Sequence, residues 1–267
     1  MAIQPPAQAP PQEPPPEPSE QRELEGRTLT ILEHLQELRN RLMIVAAALV
    51  VGVGVSVWPL TGWFIEFLKE PAQARREDFE LVFFEPLEGW TTYFRVSLLL
   101  GIAIAMPVIV YQMLAFVGPG LTKQERRWLY PLVVGASAMF IGGCAFAYYI
   151  ELPPALGFLL NPPGGVGDPL IGAGKYFAFV TRLMLVTGLV FELPIVVMGL
   201  AKLGVVDSRR LLGWWRHAII LAFVTAAVVT PSIDPMTQSL VAGPLIVLYF
   251  MGIVLSKFVE GNPLLPR

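Results

Sequence analysis

The sequence predicts an all-α integral membrane protein: six transmembrane helices in a curved bundle, with short fifth and sixth helices and both termini cytoplasmic. Three observations carry this expectation. Six apolar segments lie between about Leu42 and Leu255, and a bilayer takes about 20 mostly apolar residues per spanning helix. Hydrophobic residues make up 54% of the chain and charged ones 15%, with a mean hydropathy of +0.60. Basic residues alternate in density between successive loops, which orients a membrane protein.

The same composition bounds the function. A chain of 267 residues with this much apolar sequence fills one membrane domain and leaves no stretch for a separate soluble one. Net charge is −2 and the basic residues are dispersed, so no nucleic-acid surface is expected. Cys144 is the only cysteine, which excludes an internal disulfide, a CxxC pair and a thiolate metal cage. It reads as a small packed residue in an apolar run. No cofactor is expected.

Residues 1–28 open with Pro5, Pro6, Pro10, Pro11, Pro14, Pro15, Pro16 and Pro18 and lack the basic-then-apolar order of a signal peptide. They read as a disordered, Pro-rich cytoplasmic tail. Thr30 and Glu33 form a capping-box pattern, and Leu35, Leu38 and Leu42 follow at helical spacing, so an amphipathic turn leads into the first crossing. The six spans run roughly over Leu42–Trp58, Tyr93–Gln112, Tyr130–Ile150, Tyr176–Leu200, Ala218–Thr230 and Gln238–Leu255. With the N-terminus cytoplasmic, 13 of the 19 basic residues fall on the inner side, while Lys69, Arg75, Arg76 and Lys175 lie outside. Trp58–Lys69 and Phe83–Tyr93 are rich in aromatics, as segments lying at a lipid–water interface are, and are expected to form a short outer cap. Pro107, Pro131, Pro194 and Pro244 fall within or at the start of apolar segments, where a missing N–H and a clashing ring favour kinks. The fifth segment has 13 residues, about 20 Å of helix against a hydrocarbon thickness of about 30 Å.

Four constellations offer chemistry. In His34-Leu35-Gln36-Glu37-Leu38-Arg39-Asn40-Arg41-Leu42, Glu37 stands near the cytoplasmic surface; as an i,i+4 partner of Arg41 it is also explained structurally. In the segment from Tyr111 to Arg127, Pro119-Gly120 is a turn. There Glu125 is either the far end of a capping box with Thr122 or an acceptor for an incoming cation, with Phe116 supplying apolar surface. Glu192, in Phe191-Glu192-Leu193-Pro194, lies mid-run. A charged carboxylate at that depth costs about 2.5–3.5 kcal/mol, so it faces a cavity, finds a donor or stays protonated, and a functional role is the default. Arg182 is ten residues away, about 15 Å along a helix, too far to pair with it there. The fourth set is Thr230-Pro231-Ser232-Ile233-Asp234-Pro235-Met236-Thr237-Gln238, of tight-turn composition, with Asp234 and Gln238 as polar groups entering the last helix.

Taken in order, His34-Leu35-x-Glu37-Leu38-Arg39-x-Arg41-Leu42, Tyr111-Gln112, Phe116-x-x-Pro119-x-Leu121-x-x-x-Glu125-Arg126-Arg127, Phe191-Glu192-x-Pro194 and Thr230-Pro231 with Asp234 and Gln238 closely resemble TatC, the polytopic receptor subunit of the twin-arginine protein translocase. The resemblance covers about Leu29 to Phe258 and implies a six-helix membrane domain over 29–258, followed by a short tail over 259–267. It implies a multi-pass protein of the cell inner membrane that is not an enzyme. Such a protein binds the twin-arginine signal peptides of folded cargo, recruits single-span subunits of the TatA and TatB type, works as an oligomeric complex and draws on the proton-motive force. Carried over by position, Glu37, Phe116 and Glu125 match the signal-peptide site, Glu192 the intramembrane acid, and Asp234 with Gln238 the outer-side polar pair. A guanidinium stays charged and takes a carboxylate in a planar fork, so two arginines call for two acids or an acid with other acceptors.

The rival reading is a proton-coupled small-solute transporter using Glu192. An intramembrane enzyme is the weakest, since no His/Asp/Glu metal cluster or Ser/Lys pair occurs within the apolar runs.

Overall fold

The computed structural model describes residues 18–75, 80–117, 123–160, 171–202, 206–230 and 235–260. Among these, nearly all the regular structure is helical. The helices are α1 (Pro18–Val57), α2 (Thr61–Gln73), α3 (Glu88–Val117), α4 (Lys123–Phe146), α5 (Leu152–Leu160), α6 (Ala173–Phe191), α7 (Leu193–Lys202), α8 (Ser208–Gly213), α9 (Trp215–Val229) and α10 (Pro235–Glu260). A π-helical turn, Ala147–Glu151, joins α4 to α5. Five stretches among the described residues are long and apolar enough to cross a membrane: Glu33–Val57, Glu88–Phe116, Tyr130–Leu160, Ala173–Ala201 and Thr237–Phe258. The protein is a multi-pass membrane protein, and its surface says so: Val50, Val134, Val228 and Val247 are each more than 60% exposed, an arrangement that only lipid makes favourable.

Packing divides the chain into two units, Met1–Met43 and Ile44–Arg267. In the first, α1 already runs helical through Thr30, so the capping-box pattern there does not start the helix.

In the second unit, helices touch where side chains are smallest. A Cβ on Gly52 would lie 2.5 Å from the Gly101 carbonyl oxygen, and one on Gly143 would lie 2.8 Å from the Gly188 Cα. These contacts bring the C-terminal part of α1 against α3, and α4 against α6, as small residues do where lipid supplies no hydrophobic drive between helices. Ser56 donates to the Ser97 carbonyl at 2.9 Å and Thr61 pairs with the Ser97 hydroxyl at 2.9 Å, both buried. α10 packs on α7 and α9, and α6 on α3 and α4.

One core cluster joins α2, α5, α6, α9 and α10 and includes Leu68, Leu156, Tyr176, Val180, Leu183 and Val241. The aromatic segments expected to form a cap are held here by hydrogen bonds. Tyr148 and Tyr176 donate to the carbonyls of Phe67 and Leu68 at 2.8 and 2.6 Å. A two-residue parallel ladder pairs Leu81 with Ile171 and Val82 with Gly172.

Two expectations are corrected. The last helix is not short, because α10 continues for 26 residues with Pro244 inside it. The third span does not stop at Ile150: the chain passes through the π-helical turn and stays helical to Leu160. Pro153 and Pro154 lack the N–H groups that an α-helix would direct at Tyr149 and Ile150. The helix answers by widening, with the Leu152 N–H donating to Ala147, five residues back. The fifth segment is short as expected, since α9 has 15 residues.

Candidate functional site

The expected cytoplasmic acids stand on two helices. Glu37 lies on α1, and its Oε1 accepts from Arg41 Nε at 3.0 Å and Nη2 at 2.5 Å. The i,i+4 pair is therefore formed, and Glu37 already holds a guanidinium while its Oε2 carries no hydrogen bond among the described residues. Phe116 is half-buried in the last turn of α3. Glu125 falls in the first turn of α4, but its side chain lies outside the described residues, as does Asp234.

Glu192 is placed differently from a mid-helix residue. α6 ends at Phe191, Glu192 forms the turn, and α7 starts at Leu193. Pro194 dictates this break: its ring clashes with the carbonyl four residues back, and it offers no N–H. The Glu192 N–H accordingly bonds three residues back, to Leu189 at 3.1 Å. The carboxyl group is buried with the residue 8% exposed, and Oε1 has no hydrogen-bond partner among the described residues. Around it, Phe191 packs against Phe146 with ring centroids 5.4 Å apart, and Gly252 of α10 comes close to Pro194. A buried acceptor without a donor costs about 1–3 kcal/mol.

Gln238, in the first turn of α10, donates through Nε2 to the Phe223 carbonyl of α9 at 2.9 Å. This bond ties the short helix to the last one. Neither Glu192 nor Gln238 is bonded to the other.

The structure also shows a second buried acid that the sequence reading passed over. Glu151 is 0% exposed; its Oε2 accepts from the Thr187 hydroxyl of α6 at 2.8 Å, and its Oε1 has no partner among the described residues. The sequence signal was present, an acid flanked by Ile150 and Leu152, but a third span ending at Ile150 leaves Glu151 just outside it. No group of three or more His, Cys, Asp or Glu suited to a metal occurs among the described residues.

The model of the family described as Sec-independent protein translocase protein (TatC) matches residues 33–244. The chain is 40% identical to the chloroplastic TATC protein of Arabidopsis thaliana, over 85% of this chain and 66% of that one. It thus spans just under two thirds of that relative's length. It is 41% identical to TatC of Synechocystis sp., over 84% of this chain and 87% of the other. A crystal structure of the twin-arginine translocase receptor TatC superposes with a TM-score of 0.77 at 36% identity, covering 85% of this chain and 99% of that one.

Proposed function

Because the chain belongs to the TatC family, a family of protein translocase components and not of enzymes, we propose that it is the receptor and core subunit of a twin-arginine translocase. In this reading it binds twin-arginine signal peptides of folded cargo on its cytoplasmic side. It then recruits single-span subunits of the TatA and TatB type in an oligomeric complex, and works in the inner membrane at the expense of the proton-motive force. α9 counts as a sixth crossing, which returns the C-terminus to the side of the N-terminus.

The observation that supports receptor chemistry most directly is at Glu37. A carboxylate that takes Arg41 through two of its nitrogens has the geometry for a second guanidinium, either at Oε2 or by exchange with Arg41. Surface ion pairs contribute only about 0–1 kcal/mol and this one is only part-buried, so Arg41 can exchange for an incoming guanidinium, and apolar contacts around Phe116 add to affinity. Asp234 and Gln238 form the outer-side polar pair, with Gln238 anchored on α9. Glu192 serves as the intramembrane docking acid, its buried Oε1 met by a polar group of a partner helix.

The test is site-specific photocrosslinking of a signal peptide carrying Arg-Arg, or Lys-Lys in its place, to the purified full-length protein. Labelling near Glu37 and Phe116 is expected with the arginine peptide and at least tenfold less with the lysine one, which lacks the planar fork. Equal labelling by both overturns the receptor reading.

A further inference from the structure

A cavity of about 880 Å3 opens between the end of the first span and the start of the second. Trp58, Phe83, Phe84, Trp90 and Tyr93 wall it, and among the described residues that line it Glu85 is the one charged group and none is basic. Val57 ends one span and Glu88 begins the next, so the cavity lies at the level where hydrocarbon gives way to headgroups. Its aromatic walls are not tucked away: Trp58 is 91% and Trp90 66% exposed.

The walls are nevertheless fixed. The Glu88 carboxylate accepts from the backbone N–H groups of Phe84 at 2.6 Å, Glu85 at 3.3 Å and Gly174 at 2.5 Å, which pins the loop that carries Phe83 and Phe84. Tyr93 donates to the Val57 carbonyl and joins the other two sides. Glu88 is committed to backbone donors, so Glu85, exposed and lining the cavity, is the acid left to a ligand among the described lining residues.

Aromatic faces attract cations and a nearby carboxylate adds to that attraction, whereas an anionic group meets Glu85 with no basic residue among the described lining residues to offset it. Position supplies the rest of the ligand, because an amphiphile in the bilayer presents its headgroup at this level and its chains below. We infer that this cavity binds the ammonium headgroup of a zwitterionic phospholipid, choline or ethanolamine, in the leaflet that α2 and the ladder of Leu81–Val82 with Ile171–Gly172 face. The site is independent of the signal-peptide reading and rests only on the membrane spans.

The test uses the full-length protein, stripped of lipid in a neutral detergent and titrated with phosphatidylcholine, phosphatidylethanolamine, phosphatidylglycerol or diacylglycerol of identical chains, with binding followed by native mass spectrometry. The two zwitterionic lipids are expected to bind about tenfold more tightly than phosphatidylglycerol or diacylglycerol. Glu85→Gln, an exposed change that spares the fold, should remove that preference. Trp90→Ala should weaken phosphatidylcholine binding about tenfold, and Trp215→Ala, at a distant helix, should change nothing. Equal binding of all four lipids to the unaltered protein, a preference for phosphatidylglycerol, or a preference that survives Glu85→Gln overturns the inference, whether or not Trp90→Ala folds.

Discussion

At the scale of single residues, the buried and the exposed acids call for opposite expectations. Glu37 and Arg41 form a half-exposed pair, so Glu37→Gln should leave thermal unfolding nearly unchanged, within about 1 kcal/mol. Capture of a twin-arginine peptide, measured by fluorescence anisotropy, should fall at least tenfold; unchanged capture removes Glu37 from the site. Glu125→Gln keeps shape and much of any capping capacity, so unchanged binding there likewise assigns Glu125 to the helix start alone. Glu151 is the reverse case. Truncating it to Ala opens a cavity and strands the Thr187 hydroxyl, which should destabilise the protein by about 2–4 kcal/mol, whereas Glu151→Gln keeps an acceptor for Thr187 and should cost less than half of that. Chemical unfolding in detergent distinguishes the two, and equal losses show that charge, not hydrogen bonding, is what Glu151 contributes.

At the scale of elements, the α6–α7 break is what gives Glu192 its surroundings. Pro194→Ala restores an N–H and removes the ring clash, so the two helices should tend to merge and swing the carboxyl out of its buried place. Crosslinking from position 192 to a co-expressed single-span subunit should then drop while expression holds. In the native break, Glu192→Gln should retain part of that partner contact and Glu192→Ala should lose more, with signal-peptide binding surviving in both. If position 192 labels only lipid, the docking acid is excluded. The α4–α6 seam offers an internal control. A Cβ on Gly188 would lie 2.9 Å from both Cys144 Sγ and the Phe140 ring, so Gly188→Val should reduce folded yield through overpacking of about 1–3 kcal/mol.

For the whole molecule, the number of crossings turns on α9. Five stretches among the described residues meet the length and hydropathy of a span, and α9 does not. Its 15 residues make about 22 Å of helix, which reaches across about 30 Å of hydrocarbon only where the bilayer thins or polar ends bend inward. Since Cys144 is the only cysteine, Cys144→Ala gives a clean background for single reporters at positions 2 and 265. Both should be modified from the cytoplasmic side by a membrane-impermeant maleimide and protected from the outside. Labelling of one terminus from each side establishes an odd number of crossings and takes α9 out of the count.

The sequence by itself determined the membrane class, the order of the helices and the family, because hydropathy over about 20 residues and the ordered motifs from His34 to Gln238 are local properties of the chain. It also located Glu192, since a carboxylate among apolar residues is conspicuous without any neighbour. It misjudged the third span, ended at Ile150, and the last helix, expected to be short: the chain passes Pro153 and Pro154 by a π-helical turn and carries Pro244 inside a continuing helix, packing against other helices repaying the lost backbone bonds. Only the tertiary structure revealed Glu151 as a buried acid, for its partner Thr187 lies 36 residues away on another helix. Likewise only the structure turned the aromatic segments into a walled cavity, since what closes it are bonds from Glu88 to Gly174 and from Tyr93 to Val57, contacts that no local pattern encodes.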